Sequence, residues 1–276
     1  MPDTPLTLAL WQCAYSAAEA GTAEALRRLD DQAQRARAQG ADLLVCPEMS
    51  LTGYAVGAER VQALAEPRDG PLAQAVTAMA KRHQIAIVYG YPERHPAGGQ
   101  PFNAAQAIDA QGKAMGHYRK THLFGDMDRA QFSAGDAPSQ VFACRGWRLG
   151  LLICYDVEFP EAARALALQG TDAVLVPTAN MVGFDEVPQL LVPARACENR
   201  VVVAYANACG HEGPLHYGGL STVVLADGTP LACAGREPET LLVTLDPSAL
   251  GESRRSSQLP ARRPDLYSAL IQPVRT

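Results

Sequence analysis

Charge is scarce in this chain of 276 residues: Asp, Glu, Lys and Arg make up 19%, and the formal net charge is −5. No basic cluster exceeds the pairs Arg254-Arg255 and Arg262-Arg263, which argues against a nucleic-acid surface. Long hydrophobic runs are also missing. The longest, Leu149 to Cys154 and Val201 to Ala206, are strand-sized and far short of a membrane span. The start Met1-Pro-Asp-Thr-Pro lacks the basic residues of a secretory leader, so the cytoplasm is the expected compartment.

Several site patterns are absent too. There is no Gly-x-Ser-x-Gly elbow, no Gly-x-x-x-x-Gly-Lys loop, and no Cys-x-x-Cys or His-x-x-x-His pair for zinc. Seven cysteines, at 13, 46, 144, 154, 197, 209 and 233, are an odd number without close pairs, unlike a disulfide framework. Most lie in apolar stretches, where a cysteine serves as a small buried hydrophobe. At most one or two should be reactive.

What remains is a hydrophobic fraction of 47%, the profile of a globular chain able to bury a large core. Strand-like and helix-like segments alternate without repeats, low-complexity tracts or linkers. Leu6–Cys13 reads as a strand and Ala23–Gln39 as a helix closed by Gly40, and Asp42–Cys46 is a short apolar run. A helix begins at Pro71, and the β-rich stretch Ile85–Tyr91 follows it. Hairpin patterns come next: Phe102–Ile108 with Lys113–Lys120, then Val141–Cys144 with Arg148–Ile153. Pro160 opens a helix closed by Gly170. Ala173–Val176 and Val201–Asn207 are strands around a helix over Pro188–Arg200, and Leu220–Ala226 and Leu241–Leu245 complete the domain around the turn Asp227-Gly228. One α/β domain with helices outside sheet layers is expected, for which two sheets face to face between helix layers is one solution.

Three strand ends carry chemistry. The apolar run into Cys154 is followed within six residues by the helix opened by Pro160, which sets a thiol in a sharp turn at a sheet edge. The helix start offers N–H donors for a thiolate or an oxyanion; the plainer reading is one more buried cysteine. Glu48 follows a buried run, as a rim ion pair or as a desolvated base. Lys120 ends a strand in the same manner. Together, a carboxylate to take the thiol proton, an ammonium to hold an oxyanion and a thiol to attack a carbonyl carbon form a complete nucleophilic set.

The stretches Pro47-Glu48-Met-Ser-Leu-Thr-Gly53-Tyr54, Tyr118-Arg-Lys120-Thr-His-Leu and Ile153-Cys154-Tyr-Asp-Val-Glu-Phe-Pro160-Glu161 resemble the three signature regions of the nitrilase superfamily of carbon–nitrogen hydrolases. Supporting matches are Asn103 with Gly112, Pro177-Thr-Ala-Asn180, Ala194-Arg195-Ala-Cys-Glu198-Asn199 and Gly219-Leu-Ser221, and the resemblance runs from about Leu6 to Asp246. Within the superfamily, Ile85 to Arg94, Lys120 to Gly125 and Val176 to Met181 are most similar to the bacterial 5-aminopentanamidases.

The resemblance implies a four-layer αββα sandwich, a Glu48–Lys120–Cys154 triad, no metal or organic cofactor, and assembly into homodimers or higher homo-oligomers. It implies acyl transfer through a thioester on Cys154, with Lys120 and the backbone N–H of Tyr155 as oxyanion hole and water as second substrate. Many members carry a second glutamate after the lysine motif. Here the count from Phe132 and Gly135 lands on Asp128, with Asp126 as neighbouring candidate; both could equally decorate a polar loop. Tyr54, Glu158, Asn180 and Met181 are the expected substrate contacts, and His122 is expected as a hydrogen-bonding group rather than a base.

Cys154-Tyr155-Asp156 favours an amidase, since nitrilases more often show Cys-Trp-Glu there. The competitors are an N-carbamoyl-amine hydrolase, a nitrilase and a catalytically inactive binding module. In relatives acting on dicarboxylic half-amides an arginine often follows the cysteine, whereas this chain has Glu158 and no arginine before Arg164. A small linear amide with a neutral or ammonium tail is therefore expected, unless Glu158 is spent on a neighbouring base. The whole chain, 1–276, is expected to form one domain, with 247–276 as a C-terminal extension used in packing or dimer contacts.

Overall fold

The computed structural model describes residues 2–15 and 17–272. Its strands are β1 (Leu6–Gln12), β2 (Leu43–Val45), β3 (Ala86–Glu93), β4 (Phe102–Ile108), β5 (Ala114–Arg119), β6 (Phe142–Cys144), β7 (Trp147–Leu151), β8 (Ala173–Thr178), β9 (Val202–Asn207), β10 (Cys209–Glu212), β11 (Leu215–Gly218), β12 (Thr222–Val224), β13 (Pro230–Cys233) and β14 (Glu239–Leu245). They build two six-stranded sheets, ordered β14-β1-β2-β3-β4-β5 and β13-β12-β9-β8-β7-β6, and a separate β10-β11 hairpin. Both large sheets follow one plan. Their centres, β1-β2-β3 and β7-β8-β9, are parallel, and every outer pairing is antiparallel. The central strands read as unbroken apolar runs because they are covered on both faces.

The helices are α1 (Ala17–Ala38), α2 (Ala58–Leu64), α3 (Pro71–His83), α4 (Gly125–Gln131), α5 (Pro160–Leu168), α6 (Val192–Asn199) and α7 (Pro247–Arg255). Leu29, Ala33, Leu72 and Val76 of α1 and α3 pack on Ala9, Leu44 and Ile87 of the first sheet. Leu166 and Ala196 of α5 and α6 join a second cluster that unites Leu8, Leu10, Val45 and Val88 of the first sheet with Leu149, Leu151, Leu175 and Ala204 of the second. Helix, sheet, sheet, helix is the four-layer αββα sandwich. Truncating one of these buried leucines to alanine costs about 2–5 kcal/mol.

Three expectations need correction. The run ending at Cys154 is strand only to Leu151, and a 3₁₀ turn over Cys154–Glu158 precedes α5. The segment expected as one helix over Pro188–Arg200 is a π turn, Val187–Leu191, followed by α6, because Pro193 lacks the N–H that would continue an α ladder. The turn Asp227-Gly228 joins β12 to β13 rather than to β14. In the expected C-terminal extension, α7 is anchored by the buried Leu250 and by Arg254 Nη1 on Asp172 Oδ1 at 2.6 Å. Beyond it, Leu266, Leu270 and Ile271 are exposed. No helix among the described residues is long and apolar enough to cross a membrane.

Candidate active site

Short loops at the ends of β2, β5 and β7 bring Glu48, Lys120 and Cys154 to one end of the sandwich. The Glu48 N–H donates to Thr178 O at 3.3 Å, which ties the first sheet to the end of β8 in the second. Gly90 makes room for this crossing, since a Cβ there would collide with the backbone of Glu48 and Met49. Met49 and Cys154 both adopt positive φ, 49° and 46°. For residues other than glycine this is a strained region, which persists only where packing over-determines it.

Lys120 and both its carboxylate partners are inaccessible to solvent. Its Nζ donates to Glu48 Oε1 at 2.9 Å and to Asp128 Oδ2 at 2.7 Å. An ammonium has three donors, so one N–H remains. Asn103 Nδ2 donates to Glu48 Oε1 at 2.6 Å, and Tyr54 Oη donates to Asp128 Oδ1 at 2.8 Å. Glu48 Oε2 has no hydrogen-bond partner, although it is fully buried. Burial and the nearby Asp128 charge raise the Glu48 carboxyl above the usual range, against the pull of Lys120 and Asn103. Burial works against the Lys120 ammonium, but the surrounding Glu48, Tyr54, Asp128 and Cys154 outweigh it and hold the lysine charged.

Cys154 is partly exposed, unlike Cys13, Cys46, Cys144 and Cys209. Its thiol is pushed well above its ordinary range, first by burial and then by the Glu48 charge, while Lys120 and a hydrogen bond with the Ala179 backbone pull it down. Burial and the Glu48 charge thus disfavour the thiolate, and Glu48 Oε2 is the unpartnered carboxylate oxygen in its electrostatic reach. Asp156 fixes the turn that carries it. Asp156 Oδ2 accepts from Ile153 N at 3.1 Å, and Oδ1 accepts from Thr121 Oγ1 and His122 N at 3.0 Å each. His122 Nδ1 lies 2.7 Å from the same Oδ1, and its ring stacks on Phe159 at 3.9 Å. The lysine loop and the cysteine turn are thus riveted by one buried carboxylate. Tyr155 sits in the first turn of the 3₁₀ segment, where backbone N–H groups lack helical partners.

The remaining expected residues divide. Asp128 is in the lysine cluster, whereas Asp126 is exposed and faces Arg129 at 3.5 Å. Tyr54, expected to touch substrate, is 2% exposed with its hydroxyl spent on Asp128, so it supports the cluster from behind. Asn180 is occupied with its own turn: Nδ2 donates to Phe184 O at 3.1 Å, and Oδ1 accepts from Met181 N at 3.0 Å. Met181 is partly exposed beside this turn, in a bridge to Tyr217. Glu158 keeps partial exposure, and its carboxylate has no ion pair among the described residues; Arg195 instead reaches its backbone carbonyl at 2.7 Å.

Sequence reasoning missed the support given by Glu212 and Tyr15. Glu212 accepts from Ala55 N at 2.7 Å and Tyr217 Oη at 2.6 Å, and Tyr15 Oη donates to Glu48 O at 2.5 Å. The short segments flanking Gly213-Pro214 were the available signal for the β10-β11 hairpin that carries Glu212.

Similarity to known proteins agrees with this geometry. The chain matches the carbon-nitrogen hydrolase family over residues 7–255. It is 49% identical over 266 residues to a Pseudomonas protegens protein described as a hydrolase in the pqqF 5′ region, covering 96% of this chain and 92% of that one. It is 38% identical over 216 residues to an (R)-stereoselective amidase of Pseudomonas sp., covering 78% and 76%. The crystal structure of an amidase from Nesterenkonia sp. superposes with a TM-score of 0.83 at 36% identity, covering 96% of each chain. A variant of that amidase carries acrylamide joined by Michael addition to its active-site cysteine. With one family matched along most of its length and relatives of this identity, the chain belongs to the carbon–nitrogen hydrolase family.

Proposed function

We propose that the chain is a cysteine-dependent amidase that converts a small linear amide, ω-amino or neutral, to a carboxylate and ammonia. The observation that carries this reading is the buried, unpartnered Oε2 of Glu48, whose charge bears on the Cys154 thiol. Oε1 is held by Lys120 and Asn103, so Oε2 is the oxygen left to receive a proton. The raised carboxyl affinity brings it closer to the pH at which it must accept and return that proton.

In this scheme the thiol proton passes to Glu48 as sulfur bonds to the amide carbon. The carbonyl π electrons move to oxygen, where the third Lys120 N–H and the Tyr155 N–H receive the charge. The tetrahedral species collapses, Glu48 delivers the proton to the departing nitrogen, and ammonia leaves a thioester on Cys154. Glu48 then deprotonates a water that attacks the thioester, and the proton returns to sulfur as the acid is released. The unpaired Glu158 carboxylate near the nucleophile supports a neutral or cationic tail over an anionic one.

Cytoplasmic residence and a homo-oligomer using the exposed apolar residues after α7 belong to the same proposal, the second measurable by light scattering on a sizing column. The test of function is ammonia release from 5-aminopentanamide, pentanamide, glutaramate, an N-carbamoyl amine and an aliphatic nitrile. The first two should be turned over best. The reading fails if none of the amides is hydrolysed, or if glutaramate is preferred.

A further inference from the structure

The β10-β11 hairpin belongs to neither large sheet. Two strands alone are marginally stable in water, so the place of the hairpin is set by what it bonds to. Its pleat sends His211 and His216 to solvent and turns Glu212 and Tyr217 inward. Strand β11 is fastened to the segment after β8, where Val182 N donates to His216 O at 2.9 Å and Gly218 N to Asn180 O at 2.8 Å. Strand β10 is fastened by a side chain. The Glu212 carboxylate is 5% exposed and accepts from Tyr54 N at 3.1 Å, Ala55 N at 2.7 Å and Tyr217 Oη at 2.6 Å. Gly53, at φ 81°, allows this approach, because a Cβ there would stand 2.3 Å from Glu212 Oε1.

Two sets of contacts lead from this carboxylate into the catalytic cluster. The first passes through Tyr54, whose N–H it holds. The Tyr54 hydroxyl donates to Asp128 Oδ1 at 2.8 Å, and Asp128 Oδ2 accepts from Lys120 Nζ at 2.7 Å. The second passes through Tyr217, whose ring meets Tyr15 edge to face with centroids 4.9 Å apart. The Tyr15 hydroxyl donates in turn to Glu48 O at 2.5 Å. Residues 48–55 are turn and bend rather than helix or strand, so these side-chain contacts share in holding Glu48 and Tyr54 where they stand.

We propose that Glu212 is a positioning residue for catalysis, fixing from one point both the base Glu48 and the Lys120–Asp128 pair. It touches no substrate and moves no proton. Its loss frees the 48–55 turn and the Tyr54 hydroxyl to shift, and the two charges that serve the transition state shift with them. A displacement of about 1 Å in such groups can lower a rate about 100-fold. The inference rests on the amidase reading and adds to it a residue from a hairpin outside both sheets.

The test measures kcat and KM separately for Glu212→Ala, Glu212→Gln, Tyr217→Phe and the wild type. The substrate is whichever of 5-aminopentanamide and pentanamide the wild type turns over faster, at a temperature where urea unfolding shows each protein fully folded. In Glu212→Ala, kcat should fall about 10–100-fold while KM stays within about threefold. Glu212→Gln keeps one oxygen for the backbone donors and should recover part of the loss. Tyr217→Phe keeps the ring on Tyr15 and should lose less than Glu212→Ala. A merely structural Glu212 would lower the unfolding midpoint and leave kcat of the folded protein at the wild-type value, and that result overturns the proposal. A rise in KM alone overturns it too. If Glu212→Ala does not fold, Glu212→Gln and Tyr217→Phe decide by the same readouts. Wild-type kcat in folded variants of an active amidase strikes down the positioning role alone, whereas a wild type that hydrolyses neither amide strikes down the amidase reading and this inference with it.

Discussion

The two sheets bring opposite kinds of chemistry to the same end of the sandwich. At the end of the first, Glu48, Lys120, Asp128, Asn103 and Tyr54 form a closed network in which almost every polar atom has a partner. Glu48 Oε2 and Asn103 Oδ1 are its two unpartnered atoms. At the end of the second sheet the groups are more open: a strained, partly exposed Cys154 and a partly exposed Glu158 whose carboxylate has no ion pair among the described residues. Charges that must be in place before substrate arrives are held by other protein groups, at the cost of burying them. The groups proposed to meet substrate keep partial exposure. The same plan of sheet thus yields a preorganised half and a receptive half.

If that division is right, damage to the closed half should be large and should spread to stability. Glu48→Gln keeps the shape but cannot carry a proton, so kcat/KM should fall by about 10²–10⁴-fold or more. Near-normal turnover would place the base elsewhere. Lys120→Ala removes the oxyanion partner and strands two buried carboxylates. An activity loss of about 10²–10³-fold and a destabilisation of about 3–5 kcal/mol are expected, read by kinetics and by urea unfolding. A fully active, fully stable Lys120→Ala protein would break the comparison at its centre.

Asn103→Ala sharpens it. The Asn103 hydrogen bond favours the charged form of Glu48, so its loss should raise an already raised carboxyl further. Activity requires the carboxylate, and the acid limb of kcat/KM should therefore move to higher pH, with a smaller loss on the plateau than Glu48→Gln shows. A limb that stays put or moves down would show that it reports another group. The smallest effects belong to the cysteines outside the site. Cys46 and Cys209 are wholly buried and Cys197 is partly so. Replacing each with alanine should keep most activity and cost about 1 kcal/mol of stability, in line with an average core truncation.

Legibility from sequence follows the same line. The closed half was readable because the stretches around Glu48 and Lys120 resemble family signature regions; singly, a carboxylate after a buried apolar run or a lysine at a strand end is a weak signal. Sheets and outer helices were readable through their periods and through Pro71, Pro160 and Gly170. Hydrogen-bond partners were not. Whether Asp126 or Asp128 would meet Lys120 depends on the rotation of α4, a seven-residue helix without an N-cap side chain to announce it. The β10-β11 hairpin and Glu212 escaped because strands of four residues carry too little alternation to register.

The central claim is that the open half supplies the nucleophile, and one measurement reaches it most directly: ammonia release from a small amide by Cys154→Ala, with the fold checked by circular dichroism. The account predicts a folded protein with no release above background, because no other group here can form the acyl-enzyme. Turnover at the wild-type rate would contradict it.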